Sequence, residues 1–315
     1  GYHLRSDLKN NDDLYLNIRN HLSRLNNINF TKNEWKKYCQ EYLDVERDGV
    51  IQKTIKVQED YIYDLELDNG SKKNLYLFDK ENIHNNQVEV IRQYEQEGSS
   101  KNIYDVTILI NGLPLVQIEL KRRGLELKEA FNQTMRYQRH SYESSYGLFQ
   151  YIQIFVISNG VNTKYYANNR KQSFKFTSFW ADKDNKRITQ LDEFAGTFLD
   201  RCQVAKMIAK YTVLAENKTL MLLRPYQYYA AEAIVDRVIN SSKNGYIWHT
   251  TGSGKTLTSF KASQILVGLP QVHKVVFVVD RNDLDTQTIR EFNNFKEGSV
   301  DGTDNTKQLV KRSEE

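Results

Sequence analysis

Between Tyr104 and Arg123, two runs rich in β-branched and apolar residues are joined by Asn111-Gly112. Asn-Gly between such runs is the strongest short-range hairpin signal, because both residues accept the positive φ of a tight turn. Side chains alternate faces along a strand, so Glu119 and Lys121 share one face and Leu120 takes the other. Asp105 lies near the start of the partner strand, where pairing can bring it beside them. Two carboxylates and a lysine are poor core material, since buried charge is costly unless paired or bound to metal. Taken alone, an E-x-K strand is usually a surface ion-pair ladder. The same set also suits a Mg²⁺ site for phosphodiester hydrolysis, with the carboxylates holding the ion and the lysine assisting water or the developing charge.

The remaining chain decides between these readings. Its 315 residues allow two domains of ordinary size, and 39% apolar with 27% charged residues describe a globular protein. No apolar run approaches the roughly 20 residues of a membrane span, so no transmembrane helix is expected. The chain begins abruptly at Gly1 with no secretory signal, and Cys39 and Cys202 are too few and too distant for a disulfide framework or zinc site. A reducing cytoplasm is the expected compartment. A net charge of +4 is only mildly basic, so nucleic-acid contacts must come from local patches.

Periodicity predicts helices over 14–45, then strands from Val50 to Phe78, including Ile51, Ile55 and Val57, and a polar segment over 79–102. A helix is expected from about Leu125 to Tyr142, with Ala130, Phe131 and Met135 inward. Gln133 and Tyr137, four residues apart, share one face of it, with Arg136 and Arg139 nearby. Ile152–Ile157 reads as a buried strand, followed by strands near 163–167 and 173–179 and helices over 191–211 and 225–240. The order predicts an α/β mixed-sheet domain over 1–205 and a second domain beginning at 206.

The second domain carries a sharper signal. Tyr246–Trp248 reads as a short strand, and Thr251, Gly252, Ser253, Gly254, Lys255 and Thr256 precede an amphipathic helix. This is the pattern of a phosphate-binding loop, where backbone N–H groups and a helix N-terminus surround phosphate oxygens. Lys255 would reach the β- and γ-phosphates of ATP and the Thr256 hydroxyl would bind Mg²⁺. The strict pattern has Gly where His249 stands. Upstream, Gln227 is placed to read adenine. Downstream, Lys274–Val279 reads as a buried strand, and Arg281 and Gln287 could touch a nucleic-acid backbone.

Together these motifs resemble the R (motor and endonuclease) subunit of type I restriction enzymes. The likeness rests on Tyr104–Thr107, Asn111–Gly124, Ala130–Arg139, Phe155–Gly160, Trp248–Thr256 and Phe277–Gln287. It implies a restriction-endonuclease-like PD-(D/E)xK domain followed by the first part of a RecA-like superfamily 2 motor. Asp105, Glu119 and Lys121 then match the catalytic positions, and Gln133 with Tyr137 a Q-x-x-x-Y element; Tyr104 replaces the motif's Pro. Mg²⁺ and ATP are the implied cofactors. The implied partners are double-stranded DNA, gripped through Arg122, Arg123, Arg136 and Arg139, and modification and specificity subunits. No Walker B acidic box precedes Glu315, so this chain alone is expected to hydrolyse ATP poorly. The alternatives are a repair helicase–nuclease fusion and a nuclease-like module that binds DNA without cutting it.

Overall fold

A computed structural model describes residues 2–96, 102–137, 147–279 and 282–300. Contacts divide the chain into two compact units: Gly1–Asp182 with Lys186–Thr212, and Lys183–Asn185 with Val213–Glu315.

The first unit opens with β1 (His3–Leu4), α1 (Asn11–Leu25), α2 (Lys32–Tyr38) and α3 (Val50–Gln58), with one π-helical turn after α2. Capping boxes at Asn10/Asp13 and Thr31/Glu34 start α1 and α2. The stretch at α3 departs from the expected strand. Its β-branched residues favour extended backbone, but Gln52 returns to the Gly49 N–H and Lys53, Thr54 and Val57 share a buried face at helical spacing. Lys53 is wholly buried, donating to the Leu43 carbonyl and to Asp44, so an alternating apolar pattern never had to form here.

Next come the hairpin of β2 (Ile62–Glu66) and β3 (Lys72–Tyr76), then β4 (Val88–Gln96), β5 (Asn102–Ile110), β6 (Leu113–Leu120), α4 (Leu127–Tyr137), β7 (Ile154–Ser158) and β8 (Thr163–Ala167). The segment expected to be merely polar therefore holds a nine-residue strand, β4. The central sheet runs β1-β4-β5-β6-β7-β8. It is mixed: β1 with β4 and β6 with β7 are parallel, the other neighbours antiparallel. The parallel β6–β7 pair requires a crossover, which α4 supplies by packing on the face of those two strands. The run expected as a strand at 173–179 is instead a single 3₁₀ turn, Phe174–Phe176, with one bridge from Tyr165 to Ser178. Two short strands, β9 (Trp180–Ala181) and β10 (Arg187–Ile188), and two helices, α5 (Leu191–Thr197) and α6 (Arg201–Lys210), finish the unit.

The expected Asn-Gly hairpin is present and unusually deep. Asn111 (φ 51°) and Gly112 (φ 81°) both take the left-handed conformation that such a turn needs. The turn is buried: Asn111 donates to the Leu77 carbonyl and to Asn86, and Gly112 lies against Ile18 of α1.

A strand pair, β11 (Thr212–Leu214) with β12 (Leu220–Leu222), lies where one unit gives way to the other along the chain. The second unit continues with α7 (Pro225–Asn240), α8 (Lys255–Val267) and α9 (Asn282–Phe295). The strands expected at 246–248 and 274–279 are not formed: Tyr246 and Trp248 are each 88% exposed and Val278 82%. Their apolarity suits a strand covered on both faces, but no strand pairs with them among the described residues, and an unpaired run has no ladder to join. Among the described residues, no helix is long and apolar enough to cross a membrane.

Candidate active site

The hairpin and the crossover helix bring five of the sequence-selected residues together. Val106 of β5 pairs with Ile118 of β6, and β6 aligns Glu119 with Ile157 of β7. Asp105 therefore comes to Glu119's side of the sheet, the side that α4 covers. Leu120, on the opposite face, contributes through its backbone: its N–H donates to Asp105 Oδ2 at 2.8 Å. Asp105 Oδ1 accepts from Gln93 Nε2 of β4 at 3.2 Å.

Glu119 is fully buried, and its Oε1 accepts from Lys121 Nζ at 3.1 Å. The same ammonium donates to Gln133 Oε1. Gln133 Nε2 donates in turn to the Tyr137 hydroxyl, which donates to the Ile103 carbonyl at 3.0 Å. The spacing of 133 and 137 on α4 is what aligns this relay, since residues four apart stack on one helix face. Tyr137 also meets the ring of Tyr104 edge-on at 5.2 Å. Gln133 and Tyr137 thus hold the lysine rather than merely decorating a helix.

The electrostatics mark Glu119 as the uncomfortable member. Burial pushes its carboxyl up, the Asp105 charge adds to the rise, and the Lys121 ammonium opposes it, leaving it at about 8. Its second oxygen, Oε2, is buried and finds no hydrogen-bond partner among the described residues. An orphaned carboxylate oxygen beside a second carboxylate fits a divalent cation, whose charge would offset both the burial and the repulsion. No group of three His, Cys, Asp or Glu side chains is placed to hold a metal ion among the described residues. Two carboxylates suffice for Mg²⁺, which keeps several waters and accepts carbonyl and substrate oxygens as its remaining ligands. Arg122, Arg123 and Arg136 are exposed around this site, and Arg139 lies outside the described residues.

In the second unit the phosphate-binding sequence forms a loop at the start of α8. Gly252 (φ 74°) and Gly254 (φ 77°) are left-handed, as the tight turn requires. Ser253 N–H and Oγ both donate to the Thr250 carbonyl, and Lys255 Nζ reaches that carbonyl at 3.2 Å. Thr251 is exposed and Thr256 half-buried in the first turn. Gln227, the residue expected to read adenine, lies beside this loop. It is 4% exposed, and its amide donates to the Ser253 and Gly254 carbonyls while its Oε1 accepts from Arg224 N. Tyr226 reinforces it with a hydroxyl bond to the Ser253 carbonyl at 2.9 Å. Gln287 is exposed and bonded to Glu291 one turn along α9; Arg281 lies outside the described residues.

The profile of the type I restriction enzyme R protein N terminus matches residues 2–174, more than half of the chain. The chain belongs to this R-protein family. A second profile, SWI2/SNF2 ATPase, matches residues 226–315. Relatives agree. The type I restriction enzyme SsaAORF53P endonuclease subunit of Staphylococcus saprophyticus is 53% identical over 250 residues, covering 79% of this chain and 27% of the relative. The EcoprrI endonuclease subunit of Escherichia coli is 44% identical over 244 residues, 76% of this chain and 78% of the relative. The HindI subunit of Haemophilus influenzae is 31% identical over 278 residues. This R-family chain spans about a quarter of the length of the staphylococcal relatives it matches.

One polar neighbour of the R-family site escaped the sequence reading: Gln93. Its strand was hidden because β4 is polar at alternate positions, although Val88, Val90 and Tyr94 carry the two-residue period that could have revealed it.

Proposed function

We propose that this chain is the endonuclease-bearing N-terminal part of a type I restriction R protein, cutting double-stranded DNA in a reaction coupled to ATP-driven translocation. The observation that carries this reading is the relay from Glu119 through Lys121, Gln133 and Tyr137, next to an orphaned carboxylate oxygen. Residues 1–205 would form the PD-(D/E)xK nuclease and 206–315 the opening of a RecA-like motor lobe. Asp105, Glu119 and the Leu120 carbonyl would hold Mg²⁺, which supplies Lewis-acid activation of the scissile phosphate and of water.

The chain's own residues do the positioning. Lys121 presents one ammonium between Glu119 and Gln133, where it can orient the attacking water and offset charge growing on the phosphate. Gln133 fixes that ammonium because its carbonyl and amide are both engaged. The Tyr137 hydroxyl is kept protonated, burial raising its pKa, and so remains a donor to Ile103. Arg122, Arg123, Arg136 and Arg139 would meet phosphates without reading bases, which suits an enzyme whose specificity resides in a separate subunit. Modification and specificity subunits are the partners this assigns. Lys255 and Thr256 would hold the phosphates and Mg²⁺ of ATP, with Thr251 to Gly254 lending backbone N–H groups. Arg281 and Gln287 would contact DNA. Gln227 and Tyr226 would brace the loop beneath the nucleotide.

The test is plasmid cleavage by the full-length protein assembled with its partner subunits. Asp105→Ala and Lys121→Ala should each abolish cutting while DNA-stimulated ATP hydrolysis continues. Continued cutting by either variant would sink the site assignment. Absence of cutting by the unmodified complex in Mg²⁺ and ATP would favour a module that only binds DNA.

A further inference from the structure

Gln93 lies within β4 at φ 49°, the only strand residue among the five described non-glycine residues with positive φ. The others, Asn27, Asn111, Asn185 and Lys218, all lie in turns or loops, and residues other than Gly, Asn, Asp and His seldom adopt this conformation. The ladder registers the distortion: pairing with β5 passes from Arg92–Val106 to Tyr94–Tyr104 without a Gln93–Asp105 pair. The flanking pairs hold, so the strand is not simply ending. It turns at one residue, and that residue stands opposite Asp105.

The turn delivers a side-chain bond in place of the missing backbone pair. Gln93 Nε2 donates to Asp105 Oδ1, while Leu120 N–H holds Oδ2. Both oxygens of this half-buried carboxylate are thereby fixed, and Oδ1 retains a lone pair for a cation. The fixing has a purpose in this setting. Glu119 faces Asp105 with an unpartnered oxygen, so a cation between them needs both carboxylates aimed at one point, and an Asp105 side chain left free to rotate would lose that aim. Strain of this kind persists only where its surroundings over-determine it, and such positions gather at functional sites.

We propose that Gln93 is a positioning residue of the carboxylate site: its strained backbone aims the amide at Asp105 and holds that carboxylate ready for a divalent cation. The inference rests on the proposed reading of Asp105 and Glu119 as cation ligands. It needs no contact between Gln93 and the cation itself. A purely structural role for Gln93 would appear in folding and leave cation affinity alone.

Mn²⁺ binding to the 315-residue chain, followed by electron paramagnetic resonance of the free ion, separates the two. Gln93→Ala and Gln93→Gly should each weaken Mn²⁺ binding by roughly 10–100-fold, the range for loss of a partner behind a ligand. Gln93→Gly should melt at or above the unmodified chain, because glycine accepts the positive φ without strain. Loss of affinity with stability retained is the signature of positioning. Unchanged Mn²⁺ affinity in Gln93→Gly overturns the proposal while leaving the carboxylate site standing, with Asp105→Ala losing the ion as the control. No Mn²⁺ uptake by the unmodified chain overturns both.

Discussion

A single carboxylate, Glu119, sets the chemistry of the first unit at the residue scale. Its raised pKa of about 8 means that the metal-free folded chain holds a proton there which an unfolded glutamate releases near 4.5. Stability from this group is therefore complete at acid pH and is lost as pH rises from about 4.5 towards about 8. Mg²⁺ should reverse the loss by replacing the proton. Two outcomes follow. Thermal melting of the metal-free chain should fall between pH 5 and 8 and recover with Mg²⁺. Cation affinity should rise about tenfold per pH unit below the pKa of Glu119 and then level off, because one proton leaves for each ion bound. Glu119→Gln, neutral at every pH, should flatten both curves; a variant that kept the wild-type pH dependence would place the titration elsewhere. Gln133 tests the neighbouring link. Its loss strands the Lys121 ammonium on one side and the Tyr137 hydroxyl on the other, and Gln133→Ala should slow cleavage by roughly 10–100-fold, as partners behind a reacting group do.

Among the elements, the β5–β6 hairpin governs where the site forms, and its turn is wedged against α1. A methyl group on Gly112 would stand 2.9 Å from the Cα, N and Cγ1 of Ile18, and the positive φ adds strain. Backbone atoms cannot step aside as a flexible side chain can. Gly112→Ala should therefore cost about 2–4 kcal/mol in urea unfolding, combining overpacking with left-handed strain. Asn69-Gly70, another turn of similar sequence, has open space at Gly70 and offers the contrasting control. This hairpin was legible in the sequence because turn chemistry and apolar alternation coincide there. So were α4 and β7, whose periodicities agree with their burial. Helix α3 is not legible in the sequence because its five β-branched residues favour extended backbone and its buried face includes a lysine, which period-based reasoning does not expect inside. β4 was missed for the opposite reason: its inward Glu89 is a charge. That carboxylate is pushed up by burial but held at about 2 by hydrogen bonds involving His21, Asn17 and Arg5, a cluster no local pattern announces. For the site, residue types and spacing were readable, whereas the order of the relay depended on packing.

At the scale of the whole molecule, the two proposed sites lie in separate units of the chain. Each should be removable without the other. Lys255→Ala should abolish binding of a fluorescent ATP analogue by this chain while leaving Mn²⁺ binding at Asp105 and Glu119 intact; Glu119→Gln should do the reverse. Loss of both in either variant would show that the units depend on one another. The exposed runs at 246–248 and 274–279 flank the nucleotide loop and have the composition of buried strands. The loop is nonetheless shaped, because Gln227 and Tyr226 tie it to α7. That tie leaves no room for a side chain at Gly254, since a Cβ there would meet Gln227 Nε2 at 2.5 Å.

The relay from Lys121 ends on the carbonyl of Ile103, in the same strand that carries Asp105. With Leu120 N–H on Asp105, the bonds close into a ring through β5, β6 and α4. A ring divides heritable variation unequally among its members. Position 103 lends only its backbone and is open to many side chains. Positions 121, 133 and 137 are bound to one another, so a lineage that changed one would gain little by keeping the other two. Relatives that have lost the cutting reaction should then show the three drifting together, while 103 varies in cutting and non-cutting lineages alike.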